Sequence, residues 1–128
     1  MRDGVSRNDD VARRAIRSAL MGATWSIVSA FPIAGFIALV FRFPVPFAGY
    51  VSGIEAVIPA MLAVIFYGIV MQGLILVGVL GAISGVVTAK LMGPAAQHQR
   101  RAVRLVSLAI TTFCLFILAI LDKIIGPW

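Results

Sequence analysis

The chain has 128 residues, 61% of them hydrophobic and only 12% charged, whereas soluble globular proteins carry about 25% charged residues. That composition excludes a soluble domain of useful size and predicts a small polytopic integral membrane protein, all-α, because its uncharged runs are of membrane-spanning length. The net charge of +6 would suit nucleic acid only if the bases formed a patch on a folded surface; they flank apolar runs instead, so the expected partners are anionic lipid headgroups and not nucleic acid.

Residues 1–17 read as a basic cytoplasmic segment carrying Arg2, Arg7, Arg13, Arg14 and Arg17. Asn8, Asp9 and Asp10 offer caps and favourable negative charge for a helix from about Val11, and the arginines at 13, 14 and 17 would snorkel to the headgroups. Residues 18–41, 24 positions without a charge, form the first transmembrane helix, which Pro32 is expected to kink. Val28, Ser29 and Ala30 imitate a signal-peptide cleavage site, but the run exceeds the roughly 7 to 15 residues of such an apolar region, so an uncleaved anchor is expected. Residues 42–58 are an outer link: Pro44, Pro46, Gly49 and Gly53 are turn signals. Phe43, Phe47 and Tyr50 suit a membrane interface, predicting a surface-lying or shallow re-entrant segment.

From 56 to 89 come 34 residues without Asp, Glu, Lys or Arg, ~51 Å as helix against a hydrocarbon core of ~30 Å. That is too long for one upright crossing and too short for two comfortable ones. Basic residues decide the parity. Beyond the five in the first segment, Lys90, Arg100, Arg101 and Arg104 lie together, and only Arg42 and Lys123 fall elsewhere. Basic loops stay cytoplasmic, so both clusters belong on one side and an even number of crossings separates them. The reading is therefore one long, tilted or bent helix over 59–91, with Pro59 in its first turn and Gly73 or Gly78 as bending points. A four-helix alternative, with helices near 46–67 and 70–90, would put Glu55 near mid-bilayer. Residues 92–104 are then a basic cytoplasmic loop and 105–125 the third transmembrane helix, entered from about Ala102. Asp122 and Lys123 mark its outer end, Trp128 anchors the interface, and the N-terminus is cytoplasmic with the C-terminus outside.

Two constellations stand out. Gly22, Ser26, Ala30 and Ala34 recur every four residues on the first helix, and Gly81, Gly85 and Ala89 on the second. Such stripes let backbones approach closely in lipid, either between this chain's own antiparallel helices or at an interface with itself or a larger membrane complex. Glu55, Gln72 and Thr111 are the candidate polar pathway, since an acid or amide inside a bilayer is otherwise expensive; at a helix start Glu55 would instead be a solvated carboxylate favouring the dipole.

Cys114 has no cysteine to pair with and reads as a packing residue, and His98 as a solvated loop residue. No ligand cluster, phosphate loop or catalytic pair is visible, so neither enzyme activity, nor a metal, nor a cofactor is expected. The function expected is that of a non-catalytic accessory or oligomer-forming membrane component, with an oligomeric channel or proton-coupled transporter using Glu55 and Gln72 as the competing class.

Overall fold

A computed structural model describes residues 2–93 and 96–125. Four helices account for most of them: α1 (Arg2–Val40), α2 (Val57–Val70), α3 (Gly73–Met92) and α4 (Ala96–Ile125). Between α1 and α2 lie the short strands β1 (Phe43–Val45) and β2 (Gly49–Val51) and a 3-10 turn, Ile54–Ala56. The helices α1, α3 and α4 each hold a stretch long and apolar enough to cross a membrane, and α2, with 14 residues, does not. The chain is thus an all-α membrane-embedded protein with three spanning helices.

Side-chain meetings give the directions. A Cβ built on Gly22 would strike the Gly81 carbonyl, and one on Gly85 the Ser18 carbonyl, so α1 and α3 are antiparallel. Arg104 lies over the Trp25 ring, its guanidinium carbon 4.9 Å from the centroid, and Phe116 meets Phe41 with centroids 6.3 Å apart, so α4 runs parallel to α1. The first turns of α1, the end of α3 with Lys90 and the start of α4 consequently share one end of the bundle. The β-hairpin occupies the other.

The expected single helix over 59–91 is instead broken at Met71 and Gln72, where Gln72 takes the left-handed conformation (φ 54°). The break follows from length. Gly35 faces Val57 and Met61, whereas Gly78 faces Ile27; 17 residues of α2 and α3 thus lie against 8 of α1. At ~1.5 Å per residue the surplus is ~13 Å. It is shed sideways as an elbow. Ile69, Val70, Met71, Ile75 and Leu76 are exposed there, and Leu74 folds back onto the bare backbone of Gly68. Both helices still run antiparallel to α1. Gly78, an expected bending point, lies inside α3, where its missing Cβ admits the Ile27 side chain.

The other boundaries also moved. The helix expected from Val11 begins at Arg2, giving α1 39 residues; Asp9 and Asp10 stand one turn before Arg13 and Arg14, a spacing that supports a helix even in water. It continues through Pro32. The loop expected over 92–104 is helical again from Ala96, after a positive-φ stop at Gly93 (φ 69°). The link over 42–58 folds as a hairpin in the register Phe43↔Val51, Pro44↔Tyr50, Val45↔Gly49, turned at Phe47 (φ 66°). Phe43 and Pro44 are buried against the helices. Pro59 falls in the first turn of α2, where its missing N–H has no intrahelical acceptor. Trp128 and the side chains of Asp122 and Lys123 lie outside what the structure describes.

Candidate functional site

The two small-residue stripes meet each other. Gly22 faces Gly81, Gly81 faces Ser26, and Gly85 faces Ser18 and Gly22, each so closely that no Cβ would fit. Ala30 and Ala34 extend the first stripe onto the 3-10 turn and α2, where Ala56, Ala60 and Ala63 share their core cluster. Ala89 is half-buried near the end of α3. These residues are used within the chain, with backbone against backbone. Van der Waals contact replaces the hydrophobic drive that lipid cannot give.

The third side of the seam is α4, which buries Val103, Ser107, Thr111, Leu115 and Ala119 at successive turns. Thr111 Oγ1 donates to the Ser107 carbonyl at 2.9 Å, with the Ser26 carbonyl of α1 3.3 Å away as a second acceptor. Ser29 donates to the Ser26 carbonyl and Ser84 to that of Gly81. These three hydroxyls bond back to their own helix, as hydroxyls in lipid do when water is absent. Ser26 Oγ and Ser107 Oγ, by contrast, are wholly buried with no protein partner. Ser84, Thr88 and Ser107 were not among the sequence candidates. Their four-residue spacing, Ser84 to Thr88 and Ser107 to Thr111, is the signal that would have found them.

The expected polar pathway is not assembled. Glu55 is exposed in the 3-10 turn, Gln72 is exposed at the elbow, and Thr111 is buried against α1. The whole of α2, ~21 Å of helix, separates the first two. A crevice of about 130 Å³ lies between the hairpin, the elbow and α4, lined by Phe43, Val64, Tyr67, Leu74, Cys114 and Leu115 among others; its walls are apolar and suit no ion. Cys114 lines it, in keeping with its expected packing role.

The end shared by α1, α3 and α4 gathers the charge. Arg7, Arg13, Arg14, Arg17, Lys90, Arg100, Arg101 and Arg104 are all exposed there, with His98 also exposed beside them. Comparison with protein-family models, with curated proteins and with solved structures found no match for the chain.

Proposed function

We propose that the chain is a non-catalytic accessory component of the membrane, a rigid three-span unit whose basic end faces the cytoplasm and holds anionic lipid headgroups, and whose outer faces contact copies of itself or a larger complex. One observation carries this reading: eight bases from three separate helices converge on one end of an apolar bundle. Under the positive-inside rule such a cluster stays cytoplasmic. The N-terminus and the link before α4 then lie inside, the C-terminus outside. Each base near the surface of an anionic leaflet contributes about 1 kcal/mol.

The orientation is tested by labelling His98→Cys in a Cys114→Ser background. Protection from an impermeant thiol reagent in intact cells, with reaction after lysis, is expected; labelling of intact cells would reverse the orientation.

A second reading, transport, draws on one feature, the discontinuity at Gln72, since broken helices at membrane depth recur at binding sites of transporters. It predicts that Glu55→Gln or Gln72→Leu abolishes flux in reconstituted vesicles. Flux equal to wild type in both variants would leave the accessory reading alone.

A further inference from the structure

The elbow creates a problem that the rest of the bundle avoids. From Gly78, beside Ile27, α3 continues six residues to Gln72, and Ile27 itself lies ten residues beyond Arg17. Gln72 follows Met61, which faces Gly35, and precedes Gly78, so along the bundle it lies between the levels of Gly35 and Ile27, ~15 to ~27 Å from Arg17 and within a hydrocarbon core ~30 Å thick. At that depth α2 ends and α3 begins. The Tyr67 carbonyl accepts from the Met71 amide at 3.2 Å, but the carbonyls of Ile69 and Val70 and the amides of Gly73 and Leu74 lie beyond helical bonding, as at any helix terminus; Ile75 and Leu76 share the Gln72 carbonyl. The Gln72 amide stands exposed among Ile69, Val70, Met71, Ile75 and Leu76, all exposed apolar side chains. Lipid-exposed irregular backbone does not occur in the hydrocarbon region, and is tolerated only where protein or a water-filled cavity covers it. The crevice beside the elbow is apolar, which leaves protein.

We infer that the elbow is an interface and that a second copy of this chain covers it, Gln72 against Gln72 across a twofold axis. An amide carries both donor and acceptor, so two copies related by a twofold satisfy each other with the same residue. A side chain of one charge sign could not do this. The inference rests on the reading of the chain as a membrane component but not on its orientation.

The experiment is disulfide trapping of the full chain in native membranes, with single cysteines introduced into Cys114→Ser at Gln72, at Ile75 and, on the opposite helix, at Thr112, exposed on α4. Cross-linked dimer is expected from Gln72→Cys and Ile75→Cys, and monomer from Thr112→Cys. Gln72→Leu should raise the dimer dissociation constant in nanodiscs about 3- to 30-fold, the worth of an interhelical side-chain hydrogen bond, and Gln72→Asn should recover part of that. Monomer at both elbow positions, a dimer trapped only at Thr112, or a cross-link to a different protein would each overturn the inference while the chain stays in the membrane. Extraction of the wild-type chain by carbonate would overturn the membrane reading as well.

Discussion

Individual glycines in the α1–α3 seam differ in what stands opposite, and that difference decides their tolerance. Gly22 and Gly85 face backbone carbonyls, which cannot rotate away, whereas a Cβ added to Gly35 would stand 3.1 and 3.3 Å from the Val57 and Met61 side chains. Gly22→Ala or Gly85→Ala should lower stability by about 1–3 kcal/mol, the usual scale of overpacking, and Gly35→Ala by distinctly less, read as unfolding midpoints in mild detergent. Equal losses at all three would mean that the α1–α3 contact is looser than described. Gln72 is the opposite case. Its left-handed backbone costs a non-glycine residue about 1–2 kcal/mol, so Gln72→Gly should leave monomer stability unchanged or raised by up to about 1 kcal/mol, after glycine's own entropic cost. The stripes at Gly22, Ser26, Gly81 and Gly85 were legible in the sequence because four-residue spacing of small side chains has one physical use. Which partner they meet was not, since an identical pattern serves contacts within and between chains.

At the level of elements, α1 and α4 pack extensively against each other and add specific ring contacts. Arg104 over Trp25 is a cation–π pair at the polar end of the seam, worth about 0.5–1 kcal/mol where exposed. Trp25→Leu and Arg104→Gln should each lower the unfolding free energy by about that much, and the double variant by no more than either single one; full additivity in a double-mutant cycle would show the pair to be uncoupled. The spans α1 and α4 were foreseeable from uncharged runs near 20 residues, and a single crossing from the parity of the basic clusters. The break at Gln72 was legible in part: Gly73, an expected bending point, opens α3, and the four-helix alternative set its turn only a few residues earlier. That the chain breaks there outright, with the left-handed conformation on Gln72, was not legible, since Gln72 is no helix breaker and the register of Gly35 with Met61 and of Gly78 with Ile27 is a tertiary matter. The hairpin was legible only as a turn-rich link, for Phe43 is buried by α2 and α4, which are distant in sequence.

For the whole molecule, the basic end is a collective property of three helices. Neutralising Arg100, Arg101 and Arg104 to Gln should weaken the bias in orientation and yield a mixed population in the thiol-labelling assay, while removal of Lys90 alone should not, because seven bases remain at that end. A uniform population after the triple change would assign orientation to the arginines of α1. The elbow has a bearing beyond its surface. A helix of fixed span must tilt or deform its bilayer when thickness changes, and here the ~13 Å of surplus length in α2 and α3 is already turned sideways and pinned by Leu74 against Gly68. The elbow thereby fixes the reach of this segment instead of leaving it adjustable. Its stability should show a sharp optimum across nanodiscs of graded acyl-chain length, and a flat response would mean that α2 and α3 slide past each other.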